Sequence, residues 1–257
     1  MAGSDMTASP IQFVARTSKF ENSKTPTMSH MTPVERESLA EQGYLVIPDF
    51  FDAAWLSAAR AGIAELFEEE GDQAGSEFRA EPQTQRLANC VDKGEIFEQT
   101  VANARIREAV ATVIPEYKLS SLNVRSANPH SDWVQPLHCD VGAVPDEKGY
   151  WVCNVIIMID DFTTENGATR CVPGSHKIGQ LPQNVIADVA APHPDEILVT
   201  GKAGTVVVMN AHLWHGGTAN KTGAPRCAIV LVQGNKNASR GWRRQQGQPQ
   251  REPQANS

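Results

Sequence analysis

Three side chains in the sequence have the types and spacing of metal ligands. His138 and Asp140 lie two residues apart, and His215 follows 75 residues after Asp140. Alternate residues of an extended strand point to the same face, so His138 and Asp140 can bind one ion while Cys139 points away. Two imidazoles and one carboxylate leave three adjacent positions open on an octahedral ion, as in non-haem Fe(II) oxygenase sites. The sequence therefore predicts an iron site with these three ligands as its catalytic residues.

A fourth residue, Arg226, extends this pattern. It lies 11 residues after His215, at the start of a strand-like stretch that is apolar up to Gln233. A guanidinium buried in such a stretch needs an anion, and its planar fork fits a carboxylate. We expect Arg226 to bind the far carboxylate of a dicarboxylate co-substrate rather than to be an ordinary edge-strand cation.

The elements that must position these residues are helices followed by short strands. Thr32 with Pro33 predicts one helix start and Asp52 a second, and a further helix is expected over residues 97–113. Short apolar or β-branched stretches, separated by turn residues, cover 44–50, 119–127, 150–160, 169–172, 196–199, 205–209 and 226–233. This order predicts an α+β fold, a double-stranded β-helix (jelly-roll, cupin-like) core with N-terminal helices packed on one sheet.

The two ends of the chain differ in composition from its middle. Residues 1–30 are polar and lack periodicity, so we expect a mobile N-terminal tail. Residues 236–257 are rich in Gln, Arg, Asn and Pro, which predicts a disordered C-terminal tail. A single jelly-roll domain is expected over residues 31–235.

Composition argues against several classes of partner. The net charge is −7 and no extended Lys/Arg cluster occurs, which disfavours nucleic acid. The longest apolar runs, 155–159 and 227–232, are far too short to span a bilayer, and no signal peptide is visible. Five scattered cysteines without CxxC spacing indicate reduced thiols. We expect a cytoplasmic monomer or homodimer that acts on a small molecule, without a nucleic-acid or membrane partner.

An ordered series of short motifs resembles the phytanoyl-CoA dioxygenase family of Fe(II)- and 2-oxoglutarate-dependent oxygenases. An HxD motif alone is weak evidence, whereas the series followed by Arg226 at this offset is specific. The resemblance covers roughly residues 31–235. Its motifs are EQGYLVIP at 41–48, QPLHCD at 135–140, NGAT at 166–169, PGSH at 173–176 and WHGG at 214–217.

The resemblance implies a set of cofactors. Fe(II) would be held by the three predicted ligands, Arg226 would pair with the distal carboxylate of 2-oxoglutarate, and O2 would be the second co-substrate, with ascorbate supporting activity in vitro. Gln135 and Thr169 match family positions that line the 2-oxoglutarate site. Some members carry a hydroxyl residue two positions after the distal His. Here that residue is Gly217, so the contact is missing or is made by Thr218.

Two other histidines have competing interpretations. His212 could replace His215 as the third ligand, but the offset to the arginine would then be 14 instead of 11 and WHGG would lose its match. We therefore favour His215 and interpret His212 as a surface residue or a residue that supports a ligand. His176 ends the PGSH motif, and we favour a structural role in a turn over a role in the pocket.

The substrate-binding residues are the least defined part of the sequence. Arg125 lies in an alternating strand that enters the same barrel, where it either binds an acidic substrate group or forms a surface salt bridge, and Arg86 is a weaker candidate of this kind. Trp133 and Trp151 flank the metal segment and either wall the substrate pocket or belong to the core.

The resemblance implies a dioxygenase that hydroxylates, or otherwise oxidises, an unactivated C–H bond of a small metabolite and releases succinate and CO2. A radical halogenase would need a vacant position where Asp140 stands. The alternatives are a non-catalytic jelly-roll module that binds metal or 2-oxoglutarate, and a metal-dependent cupin-type isomerase. The isomerase hypothesis leaves Arg226 unexplained.

Overall fold

The computed structural model describes residues 30–78, 81–142 and 144–237. The predicted tails fall largely on residues 1–29 and 238–257, outside the described residues. Within the described ranges, no α-helix combines the length and apolar composition needed to span a bilayer.

The helices precede most of the strands, as predicted. Helix α1 begins after Thr32, whose side chain and that of Glu35 form a reciprocal capping box. Helix α2 begins after Asp52, which caps the N–H of Trp55. The helix predicted over 97–113 is two helices, because the side chain of Asn103 accepts hydrogen bonds from two N–H groups and starts a new one. The helices are α1 (Pro33–Glu41), α2 (Ala53–Glu70), α3 (Glu95–Ala102) and α4 (Ala104–Val113).

The strands form two antiparallel sheets. The strands are β1 (Tyr44–Ile47), β2 (Thr84–Leu87), β3 (Tyr117–Ala127), β4 (Val152–Met158), β5 (Thr169–Cys171), β6 (Ile197–Val199), β7 (Val206–Asn210), β8 (His215–Gly217) and β9 (Arg226–Asn235). The larger sheet has the order β1-β7-β4-β9-β3-β2, and the smaller sheet has the order β6-β5-β8. Strands β2 and β8 were not predicted as separate elements.

The core consists of one layer between the helices and the larger sheet and another between the two sheets. Strand β7 shows the division, because alternate side chains of a strand point to opposite faces. Val206 and Val208 pack with residues of all four helices. Val207 and Met209 pack instead with Cys171 and other residues of the smaller sheet. This arrangement confirms the α+β jelly-roll core with N-terminal helices on one sheet.

The junction between α1 and β1 connects the helical layer to the PGSH turn. Gly43 has φ +83°, and a Cβ there would lie 2.6 Å from Nδ1 of His176. The other ring nitrogen of His176 is 3.1 Å from the carbonyl oxygen of Ala40, and the N–H of Gly174 donates to the carbonyl oxygen of Gln42. His176 is therefore part of a structural contact with α1, in agreement with the favoured interpretation.

We predict that Gly43→Ala lowers the free energy of unfolding by roughly 1–3 kcal/mol, because the new methyl group meets the His176 ring at a left-handed backbone conformation. Gly62→Ala is the matched control. Gly62 lies inside α2 with nothing among the described residues within 4 Å of the added Cβ, so helix propensity should raise stability by about 0.5–1 kcal/mol. Urea denaturation measures both values, and equal effects of the two substitutions would contradict the packing argument.

Candidate metal centre

Backbone pairing brings the two halves of the metal site together. His138 forms an antiparallel bridge with His215 of β8, with reciprocal N–H to carbonyl hydrogen bonds of 3.0 and 3.1 Å. The N–H of Asp140 donates to the carbonyl oxygen of Ala211, and Asp140 then begins a short 3-10 helix. The segment that contains the HxD motif is therefore held beside β8.

The three predicted ligands meet in space. Oδ1 of Asp140 lies 3.4 Å from Nε2 of His138 and 3.7 Å from Nε2 of His215, and one ligating atom from each residue lies within 4.8 Å of the others. Adjacent ligands at about 2.1 Å from an octahedral ion stand about 3 Å apart. The donor set thus fits one divalent ion after small side-chain adjustments.

The ring orientation of both histidines is determined by backbone carbonyls. Nδ1 of His138 is 3.0 Å from the carbonyl oxygen of Pro136, and Nδ1 of His215 is 2.7 Å from that of Leu213. A carbonyl accepts only from a protonated nitrogen, so the proton lies on Nδ1 in both rings. The lone pair of each Nε2 is then directed to the metal, the arrangement that orients metal-binding histidines.

The charge states of the ligands also favour metal binding. Burial by itself raises the pKa of Asp140, but hydrogen bonding to His138 and the nearby imidazoles hold this pKa far below its usual value. The side-chain amide of Asn154 donates to Oδ2 of Asp140 at 2.5 Å. Burial lowers the pKa of His215 to about 4. Burial lowers the pKa of His138, but the hydrogen bond to Asp140 raises it overall, so Nε2 of His138 gives up a proton when a metal binds. The site therefore presents an ionised carboxylate and a neutral distal imidazole.

Cys139, which lies between two of the ligands in the sequence, faces the protein interior. Cys139 packs with Leu137, Val172 and Trp214, and its thiol donates to the carbonyl oxygen of His212 at 3.2 Å. Burial raises the pKa of this thiol to about 12. A thiol of that kind is a packing group and not a nucleophile.

His212 occupies a different environment from His215. Its Nε2 accepts a hydrogen bond from the N–H of Trp151 at 2.9 Å, and its ring lies beside that of Tyr150. It is only 2% exposed, so the part of the prediction that placed it at the surface is wrong. Because its lone pair is used, His212 supports the backbone near the metal segment instead of presenting a ligand.

A cavity of about 850 Å³ opens over the ligands, a volume typical of small-molecule sites. It lies between the larger sheet and the metal segment. The predicted site residues in its wall are Arg125, Trp133, Gln135, His138, Asp140, Thr169, His215 and Arg226, together with Arg86 and Thr218. Trp151 lies outside this lining and contacts His212 through its backbone.

Arg226 is a half-buried cation with few partners among the described residues. Its Nη2 donates to the carbonyl oxygen of Gly167 at 2.6 Å, its guanidinium lies 4.2 Å from the centre of the Phe162 ring, and its buried Nε has no hydrogen bond. Burial and the charge of Arg125 lower the pKa of Arg226 to about 10. Among the residues that the structure describes, no carboxylate forms an ion pair with Arg226.

The residues predicted to line the co-substrate site border the same space. Oε1 of Gln135 accepts the N–H of Gly217 at 3.1 Å, which ties the start of the metal segment to β8. The hydroxyl of Thr218 donates to the carbonyl oxygen of Ala168 at 2.8 Å. Thr169 is the first residue of β5 and is the register partner of Gly217 in β8.

Sequence reasoning missed three polar residues at the site. Arg170 is 2% exposed and donates to the carbonyl oxygens of Gln135 and Val189, so it holds the backbone beneath the metal segment. An arginine in an apolar strand was the available signal, and the same signal identified Arg226. Asn154, which orients Asp140, and Glu81, which bridges two arginines, gave no local signal.

We predict that His215→Ala weakens Fe(II) binding at least about tenfold, because one of three protein ligands is lost. His212→Ala is the matched control from the same segment and should retain Fe(II) affinity, since its lone pair accepts a backbone N–H. Anaerobic titration with Fe(II) measures both. The ligand assignment is wrong if His212→Ala loses the metal while His215→Ala keeps it.

Comparison with known proteins identifies the relatives of this chain. The family model for phytanoyl-CoA dioxygenase (PhyH) matches residues 39–228. Ectoine dioxygenase of Sphingopyxis alaskensis is 22% identical over 224 residues, which cover 74% of this chain and 71% of that protein. Dioxygenase FUM3 of Gibberella moniliformis is 32% identical over 111 residues, which cover 39% of this chain and only 34% of that protein.

A solved structure shares the fold. The crystal structure of HygX from Streptomyces hygroscopicus with nickel and 2-oxoglutarate bound superposes with a TM-score of 0.68 at 19% identity, covering 82% of this chain and 90% of that one. The family match extends over well over half of the chain. The chain therefore belongs to the phytanoyl-CoA dioxygenase family of 2-oxoglutarate-dependent non-haem iron enzymes, as its motifs predict.

Proposed function

We propose that this chain is an Fe(II)- and 2-oxoglutarate-dependent dioxygenase that hydroxylates an unactivated C–H bond of a small-molecule metabolite, with release of succinate and CO2. The observation that carries the proposal is the presence of two complementary sites in one cavity. A complete set of metal ligands lines it, and so does a half-buried arginine that has no carboxylate partner in the described part of the chain. Together they match the two ends of one 2-oxoglutarate molecule.

The ligand set supports iron as the metal. His138, Asp140 and His215 would hold Fe(II) through two Nε2 atoms and Oδ1, and their arrangement leaves positions for a bidentate co-substrate and O2. Bound there, Fe(II) would activate O2, which is the oxidant of the reaction: one oxygen atom would enter succinate as 2-oxoglutarate loses CO2, and the other would become the hydroxyl group on the substrate carbon. Asn154 keeps Oδ2 of Asp140 engaged, so the carboxylate offers a single oxygen to the ion.

The environment of Arg226 supports 2-oxoglutarate as the co-substrate. A guanidinium held by one carbonyl and one ring retains donors for a bidentate pair with a carboxylate. Its low-dielectric surroundings strengthen that pair and make an uncompensated charge costly. Gln135 and Thr169 line the space between this arginine and the metal ligands and would position the co-substrate.

The rival hypotheses account for fewer of these features. A radical halogenase needs an open position where Asp140 stands, and here that carboxylate is present, partly buried and hydrogen-bonded to Asn154. A cupin-type isomerase leaves Arg226 unexplained, which has no carboxylate partner among the residues described. A non-catalytic module that binds metal and 2-oxoglutarate would need the same ligands, but it leaves the remainder of the 850 Å³ cavity without a role. Relatives named as a proline hydroxylase and an ectoine dioxygenase favour oxidation of small molecules.

We predict that Arg226→Ala raises the 2-oxoglutarate dissociation constant by roughly two to three orders of magnitude, because a buried carboxylate loses its partner. Fe(II) affinity should change little, and Arg226→Lys should recover only part of the loss, since an ammonium lacks the planar fork. The measurement is anaerobic titration of the Fe(II) protein with 2-oxoglutarate, followed by its charge-transfer absorption. Arg36→Ala, which removes an arginine paired with Glu108 on the surface, is the matched control.

Turnover tests the activity itself. We expect the protein with Fe(II), ascorbate and 2-oxoglutarate to form succinate, and to form it faster when a metabolite panel includes the right substrate. His215→Ala should abolish this reaction. Asp140→Gly should abolish hydroxylation and open a coordination position for chloride. Chlorination by the unaltered protein, or 2-oxoglutarate affinity unchanged in Arg226→Ala, would refute the proposal.

A further inference from the structure

Three arginines on neighbouring strands form a row across the cavity face of the larger sheet. Arg86 of β2 is the register partner of Arg125 of β3. Arg226 of β9 pairs with Ala127, two residues beyond Arg125, and therefore lies diagonally across from it on the same face. All three line the cavity. Like charges in such positions repel each other, so this arginine row, Arg86, Arg125 and Arg226, requires anions.

The chain supplies one anion to the row. Oε1 of Glu81 is 2.8 Å from Nη2 of Arg86, and Oε2 accepts a hydrogen bond from Nη2 of Arg125. Burial alone raises the pKa of Glu81, but the two guanidinium charges hold it below its usual value. The ring of Phe78 covers Arg86 at 4.8 Å. One ionised carboxylate between two guanidiniums leaves one positive charge in this part of the cavity.

The proposed cofactors do not balance that charge. Fe(II) carries two positive charges and 2-oxoglutarate two negative ones, so with Asp140 and Arg226 they form a neutral group. The two histidines must be neutral to bind the ion, so they add no charge. No further acidic side chain occurs among the described residues that line the cavity. Asp160 is not part of the cavity lining. Its charge raises the pKa of Arg226, and its Oδ1 lies 3.8 Å from Nε of Arg60.

Both arginines keep hydrogen-bond donors for a second anion. A guanidinium has five N–H donors, and within the described part of the chain Arg86 and Arg125 use only Nη2, for Glu81. Their side chains are 15% and 31% exposed, so they are partly shielded from water without being closed off. Ile156 and Val230 line the same cavity and offer apolar surface to the rest of a ligand.

We infer that the substrate is a small organic monoanion, a carboxylate with an apolar body, whose charge is bound by Arg125 and Arg86 beside Glu81. This inference rests on the proposed oxygenase function and names its substrate class. The one uncompensated positive charge among the described residues of the cavity wall favours a monoanion over neutral or cationic molecules. Glu81 already neutralises one of the two arginine charges, so a second dicarboxylate is disfavoured beside it. Arg226 therefore remains the site for 2-oxoglutarate.

Binding can be measured without turnover. The protein is loaded with Ni(II) and saturating 2-oxoglutarate, and its unfolding temperature is followed against a panel of aliphatic and aromatic monocarboxylates, each paired with its primary amide. We expect acids to stabilise the protein and their amides to have little effect. Arg125→Gln and Arg86→Gln should each weaken binding of the best acid by about tenfold to a hundredfold. Arg125→Lys should retain part of the affinity.

Two further variants sharpen the test. Arg36→Gln removes the same charge from a surface pair with Glu108 and should leave acid binding unchanged. Glu81→Gln removes the competing carboxylate and should strengthen acid binding. The inference is overturned if amides bind as well as acids, or if acid preference survives both Arg125→Gln and Arg86→Gln. It is also overturned if Arg125→Gln weakens 2-oxoglutarate binding and leaves acid binding intact.

The outcomes separate this inference from the proposed function. If acids bind through the two arginines but none stimulates succinate formation with Fe(II), the carboxylate site stands and the oxygenase proposal fails. If neutral compounds stimulate succinate formation equally in Arg125→Gln and in the unaltered protein, the oxygenase proposal stands and the carboxylate site fails.

Discussion

The metal site depends on the antiparallel bridge between His138 and His215. Residues far apart in the chain are brought side by side by two backbone hydrogen bonds, and these require no particular side chains. The side chains follow from strand alternation, which places His138 toward the cavity and Cys139 toward the core. Backbone carbonyls two residues before each histidine then orient both rings. A slip of one residue in this pairing would turn the ligands into the core.

Two arginines near the site differ in the partners that the protein provides for their charge. Arg170 is almost fully buried, and its Nε has no hydrogen bond among the described residues. Its two Nη atoms nevertheless donate to several backbone carbonyls and to Glu196, so it stabilises the loops around the metal segment. Arg226 donates to one carbonyl, packs on one aromatic ring and, unlike Arg170, has no carboxylate partner among the described residues. Because a buried cation without an anion is costly, the second arrangement favours ligand binding and the first favours packing.

The helical layer supports the site from the far side of the sheet. Apolar side chains of all four helices pack on one face of the larger sheet, which leaves its other face for the cavity. The PGSH turn is attached to α1 through His176 and Ala40, and its Ser175 accepts the N–H of Trp214, the residue before His215. The rigid scaffold thereby extends to the distal ligand.

The sequence by itself determined the family, the fold class and the candidate ligands, because these depend on local patterns: strand periodicity, helix caps and motifs of a few residues. It could not separate the interpretations of Arg125, and it gave no signal for Asn154 or Glu81, because their roles come from partners distant in the chain. Helix α3 ends and α4 begins at Asn103, where a local cap outweighs continuous periodicity. Only the tertiary structure decided that His212 faces Trp151 while His215 faces Asp140, since strand register sets which of two neighbouring histidines meets the cavity.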